Sequence, residues 1–153
     1  MTRFTALVAL VVMSITILAC SAPTPSPVAA TSTPPPSATL AASTRVAVTF
    51  KDFSVASSAP SAKAGDVTFE AKNDGKLPHQ LVIVKSDLDP AALPLHEQKE
   101  VDESKVQIVS RIPDFDSAQT KTVTAKLAPG KYVLLCNVPS HYTSGMFTAF
   151  TVN

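Results

Sequence analysis

Thiols are scarce in this 153-residue chain, which has two cysteines, Cys20 and Cys136. It also has no Trp, and aromatic residues make up 6%. Methionine is equally rare: Met1, Met13 and Met146 are all there is, and the first two fall in the N-terminal leader. An excess of charge of either sign is lacking. The net charge is +1, and loss of residues 1–19 removes Arg3, leaving 12 basic against 12 acidic residues. A chain without a basic stripe has no electrostatic footprint for nucleic acid. No internal repeat is visible. The full chain is 45% hydrophobic, enough for the core of one domain.

Residues 1–19 read as a targeting segment. Arg3 supplies a minimal charged region, and residues 4–18 are apolar apart from Thr5, Ser14 and Thr16. A bilayer span needs about 20 apolar residues, so this run is a signal rather than a comfortable span. It ends Ile17-Leu18-Ala19-Cys20, which resembles a bacterial lipobox. That resemblance implies cleavage before Cys20, a diacylglycerol on its sulfur, and an extracytoplasmic protein held to the membrane by lipid. A plain secretory signal or an uncleaved anchor is the alternative. With Cys20 lipidated, Cys136 is the only thiol of the mature chain and no internal disulfide can form. A lone thiol in an oxidising compartment is a liability unless something occupies it, as a metal would.

Residues 20–44 form a tether. Six of the 13 prolines lie here (Pro23, Pro25, Pro27, Pro34, Pro35, Pro36), among Ser, Thr and Ala, and residues 21–44 carry no charge. Such a composition favours polyproline II over packing, at about 3.1 Å per residue, or roughly 70 Å fully extended.

Residues 45–153 read as one folded all-β domain. Val46, Val48 and Phe50 alternate with polar or small residues, as do Val67, Phe69 and Ala71, the period of half-buried strands. Asn73-Asp74-Gly75 signals a turn. Leu81 to Val84 is a continuous apolar run, as in a central strand. Residues 86–104 are acidic, contain Pro90 and Pro94, and are expected to form a loop or a short helix near residues 91–99. Strand patterning resumes over residues 106–112, 123–127, 131–136 and 146–152. Seven to eight short strands separated by turns indicate a β-sandwich with Greek-key connections.

The chemistry concentrates near the C-terminus, in Cys136-Asn137-Val138-Pro139-Ser140-His141-Tyr142-Thr143-Ser144-Gly145-Met146, with a further His79 after Pro78. Cys136 ends one strand and Met146 begins the next, with His141 midway. One loop can therefore bring three side chains to one point, while His79 comes from another strand. Pro139 stiffens the loop and Gly145 frees the backbone before Met146. Two imidazoles, a thiolate and a weakly bound thioether accommodate both oxidation states of copper, and so suit one-electron transfer. Taken singly, His79 would be a satisfied strand histidine, Met146 a core residue and Cys136 a small buried hydrophobe. The conjunction, which uses the only available thiol and the only Met of the mature chain, points to a metal.

That loop, together with Pro78-His79-Gln80-Leu81-Val82-Ile83-Val84, resembles the cupredoxins, the blue copper proteins, and within them the sulfocyanin-, auracyanin- and plastocyanin-like members. The resemblance implies a Greek-key β-sandwich with one type 1 copper near one end, held by His79, Cys136, His141 and Met146. It implies a single-electron carrier rather than an enzyme. Such a carrier would be monomeric and would serve a redox partner such as a cytochrome or membrane oxidoreductase. It further implies that His141 lies near the surface, edged by Val138, Pro139, Tyr142, Leu77 and Pro78. Where many members of the family have Asn after the first His, this chain has Gln80. The remaining histidine, His96, reads as a surface residue. A periplasmic copper-binding or delivery protein is the alternative, although the chain lacks Met- or His-rich clusters. A copper oxidase would need further histidines, and a metal-free adhesion sandwich would be indifferent to loss of Cys136.

Overall fold

A computed structural model of the chain describes residues 44–153. The leader, Cys20 and the tether up to residue 43 lie outside the described residues, and Thr44, read as the tether's last residue, already belongs to the first strand. Eleven strands follow in order: β1 (Thr44–Lys51), β2 (Ser54–Ser57), β3 (Ser61–Ala62), β4 (Gly65–Asn73), β5 (His79–Lys85), β6 (Leu95–His96), β7 (Glu100–Val101), β8 (Gln107–Phe115), β9 (Thr120–Leu127), β10 (Gly130–Leu135) and β11 (Phe147–Val152). They exceed the seven or eight expected because four of them, β2, β3, β6 and β7, have four residues or fewer.

Two sheets form the sandwich. One has the order β2-β1-β4-β9 and the other β3-β11-β10-β5-β8. The pairs β1–β4 and β3–β11 are parallel, and the remaining neighbours are antiparallel. Alternation places Val46, Val48, Phe50, Val67, Phe69 and Ala71 of the first sheet against Leu81, Ile83, Leu134, Phe150 and Val152 of the second, all nearly inaccessible. Phe69 meets Phe150 edge-on across the interface at 5.5 Å, a favoured arrangement of aromatic quadrupoles.

The even-numbered side chains of β5 explain why that strand is apolar throughout. Val82 and Val84, with Val133 and Leu135 of β10, face away from the sandwich core and pack in a second cluster with Leu93, Val101 and Tyr142. The acidic excursion between β5 and β8 thus covers the outer face of the second sheet.

No helix forms over residues 91–99, contrary to one expectation. The segment makes a small ribbon, β6 paired with β7, followed by a 3₁₀ turn at Glu103–Lys105. Pro94 lies directly before β6, and Glu97 and Gln98 both take positive φ, 46° and 57°, a reversal that no helix accommodates. Among the described residues, no helix is long and apolar enough to cross a membrane.

Candidate metal centre

His79 opens β5, where its register partner is Phe115 of β8. Its ring stacks on Phe50 of β1 at 5.7 Å, and Phe50 in turn meets Phe115 edge-on at 5.5 Å. The three rings fix His79 at one end of the sandwich core. The segment before it is braced by Asn73, which is fully buried. The Asn73 amide donates to the carbonyls of Leu77 (2.8 Å) and Phe115 (3.1 Å) and accepts from the Gly75 N–H (2.8 Å).

The loop after β10 is closed by its own backbone. The Cys136 N–H donates to the Met146 carbonyl (3.0 Å), the Met146 N–H to the His141 carbonyl (3.1 Å), and the His141 N–H to the Val138 carbonyl (2.9 Å). Gly145 takes φ 96°, which suits glycine, and ends the short 3₁₀ turn Tyr142–Ser144. The loop is also pinned sideways, because the Ser140 N–H donates to the Lys99 carbonyl (2.9 Å) in the excursion.

These elements bring His79, Cys136 and His141 together as a cluster of potential ligand atoms, all within 4.8 Å of one another. His79 Nδ1 lies 3.3 Å from His141 Nδ1, and Cys136 Sγ lies 3.8 Å and 3.4 Å from the two nitrogens. The three residues are 0%, 0% and 7% exposed. A point equidistant from the three atoms of that triangle lies about 2.0 Å from each, close to metal–imidazole and metal–thiolate bond lengths of about 2.0–2.3 Å. Two nitrogens and a soft sulfur, buried and converging, form a donor set that fits copper. Met146 is fully buried at the end of the same loop, with its backbone bonded to both Cys136 and His141.

Electrostatics leave the two imidazoles at this point without added protons. Burial lowers the His79 pKa, and the neighbouring His141 lowers it further, against the charge of Asp52, which raises it. Burial likewise lowers that of His141. Both rings therefore stay neutral and keep a lone pair for a metal near pH 7. Burial pushes the Cys136 thiol up, offset in part by the N–H groups of Gln80 and Val138. The Gln80 N–H donates to Cys136 Sγ at 3.4 Å, so this position ties the two ligand segments through its backbone.

Two features differ from the sequence-based picture. Tyr142 does not edge His141 at the surface: it is 3% exposed and turns to the outer cluster. There its hydroxyl donates to the Pro90 carbonyl (2.6 Å) and accepts from the Leu93 N–H (3.0 Å). The aromatic beside His141 is instead Phe53, edge-on at 5.8 Å and 52% exposed. Phe53 and its neighbour Asp52 sit in the β1–β2 turn, which carries no motif in the sequence. Its signal is only a large apolar residue in a polar turn. His96 is exposed as expected, 3.5 Å from Glu100.

Fold and donors together define a cupredoxin-like domain with a His–Cys–His site for one type 1 copper. No protein-family model matches the sequence, and no curated protein matches it. Solved structures do. The reduced auracyanin of the photosynthetic bacterium Roseiflexus castenholzii is 25% identical, with 72% of this chain and 98% of that one covered and a TM-score of 0.56. Auracyanin A, a blue copper protein of the green thermophilic photosynthetic bacterium Chloroflexus aurantiacus, is 22% identical over 71% and 98% of the two chains, with a TM-score of 0.52. Rusticyanin of Thiobacillus ferrooxidans shares the fold at 19% identity, 71% and 76% coverage and a TM-score of 0.54.

Proposed function

We propose that this protein is a single-electron carrier, not an enzyme, in which His79, Cys136 and His141 would hold a type 1 copper and Met146 would add a weak thioether donor. The observation that carries this reading is the dry triangle of two Nδ1 atoms and one Sγ. Bound there, copper supplies a one-electron couple. The chain's own residues keep the donors in one arrangement: Phe50 holds the ring of His79, and the bonds Cys136–Met146–His141 hold the loop. Donors that cannot move reduce the reorganisation that accompanies a change of charge. Burial excludes water and substrates, which favours transfer over catalysis.

Electrons pass at the His141 end in this proposal. Phe53 lies exposed beside it, and Leu77 and Pro78 before His79 and Pro139 in the metal loop are exposed too, apolar groups of the kind that suit brief docking. The partner is a cytochrome or membrane oxidoreductase outside the cytoplasm. Lipid on Cys20 and the Pro-rich tether would keep the domain close to membrane redox complexes while letting it move between them.

The test is Cu(II) titration of the protein beside Cys136→Ser, followed by optical and electron paramagnetic resonance spectra and voltammetry. An intense thiolate-to-copper band, narrow hyperfine splitting and a reversible potential, all lost in the variant, are expected. A pale spectrum indifferent to the substitution would refute the type 1 site. Rapid release of copper to a chelating acceptor would favour delivery over electron transfer.

A further inference from the structure

His79 turns Nδ1 to His141 and Cys136, and its second nitrogen lies outside that triangle. Nε2 is buried, and it is the one buried side-chain nitrogen or oxygen among the described residues without a hydrogen-bond partner. The group facing it is a carboxylate: Asp52 Oδ1 stands 3.7 Å away. That is beyond hydrogen-bond length but well within range of charge attraction. The carboxylate is not there by chance rotation. Oδ1 accepts from the backbone N–H groups of Lys76 (2.9 Å) and Leu77 (3.2 Å). Those two bonds hold Asp52 ionised, below the ordinary carboxylate range.

Gly75 completes the arrangement. A Cβ at that position would stand 2.4 Å from Asp52 Oδ1 and 3.0 Å from His79 Nε2. Only a residue without a side chain lets the carboxylate and the ring approach each other here. The Asn73-Asp74-Gly75 turn therefore does more than reverse the chain: it makes the opening through which Asp52 reaches the back of a ligand.

We propose that Asp52 is a positioning residue of the metal centre: its carboxylate selects the Nε2–H form of His79, leaving Nδ1 free for the metal, and its charge favours the oxidised ion. Carboxylates behind metal-bound imidazoles act in this way at other metal sites, orienting the ring and raising its basicity. The inference rests on the reading of the site as a type 1 copper centre.

Asp52→Asn tests the charge alone, because Asn keeps an oxygen for the Lys76 and Leu77 amides. In the full-length protein in detergent, this variant is expected to raise the midpoint potential. A tenfold loss of preference for the oxidised ion is expected, equal to about 59 mV for a one-electron couple. Asp66→Asn, at the opposite end of β4, is the control for net charge and should shift it far less. Gly75→Ala, which displaces the carboxylate, should shift it in the same direction as Asp52→Asn. A second readout needs no copper: nitrogen-15 spectra of the metal-free protein should report His79 as Nε2–H, with Asp52→Ala mixing the two tautomers. A potential in Asp52→Asn that moves no more than in Asp66→Asn overturns the proposal, as does a tautomer unchanged in Asp52→Ala. If the unsubstituted protein gives no thiolate-to-copper band, the site reading fails and this inference with it. If the band is present and the Asp52 variants are silent, only this inference fails.

Discussion

The side chain of Asn137 binds both backbone polar groups of Val101, accepting from its N–H at 2.8 Å and donating to its carbonyl at 3.2 Å. Asn137 follows Cys136 directly, and Val101 is a buried residue of the excursion. One amide thus fastens the segment covering the outer face of the second sheet to the residue next to the thiolate. Asn137→Ala leaves two buried backbone groups unpaired, at about 1–3 kcal/mol each. Denaturant unfolding of the metal-free protein should show a loss of about 2 kcal/mol or more, with residues 95–104 exchanging amide hydrogens faster. A loss under about 0.5 kcal/mol, the usual surface value, would mean that water replaces the amide without cost.

Phe53 should affect electron transfer far more than folding. It is half exposed and takes φ 63°, so the fold gains little from it and its backbone carries strain. Phe53→Ala should change stability by less than about 1 kcal/mol, while slowing electron self-exchange by roughly tenfold, the scale of one lost aromatic anchor at an interface. The potential should hardly move. An unchanged self-exchange rate would place docking elsewhere on the domain.

The sandwich and its metal loop were legible in the sequence because period-2 alternation and ligand spacing are local signals. Val46, Val48 and Phe50, or Cys136, His141 and Met146, can be read without knowing what lies opposite. A short helix over residues 91–99 fails to form because their apolar members, Leu93 and Leu95, serve a sheet face far away in sequence. Asp52, Phe53 and Asn73 were not legible as site residues. Each acts on a partner that only tertiary pairing brings near: Asp52 and Phe53 reach His79 and His141 across the β1–β2 turn, and Asn73 spans to Phe115 on another strand. Tyr142 lies next to a ligand in sequence, yet its side chain belongs to the other face.

The metal-free protein should have its stability bounded on both sides of neutrality. Burial holds the pKa values of His79 and His141 below the ordinary 6.5, so below that pH the unfolded chain takes up protons first. Their contribution is full above pH 6.5 and is lost as pH falls towards the folded values. Burial raises the Cys136 thiol above the ordinary 9.0. Its contribution is full below pH 9 and is lost as pH climbs through that raised value. Thermal unfolding from pH 4 to 10 should therefore show a plateau between these limits, and Cys136→Ser should remove the alkaline decline. An alkaline limb that survives this substitution would assign it to other groups. Copper uptake should release the thiol proton, so apparent affinity should rise with pH through neutrality.

Met146 has two roles that substitution can separate. It is a fully buried member of the core, and its backbone joins Cys136 to His141. Neither role requires sulfur. Met146→Leu conserves volume and leaves the backbone bonds in place, so it should cost less than about 1.5 kcal/mol in the metal-free protein. An axial thioether, by contrast, donates electron density to the metal and tunes its potential. Removing it leaves the electron-poor Cu(II) less supported than Cu(I), so the midpoint potential should rise, by about 59 mV for each tenfold change in relative affinity. Voltammetry of Met146→Leu beside the unsubstituted protein reads this directly. A potential that stays put, with stability also unchanged, would make Met146 a core residue only and the copper site three-coordinate.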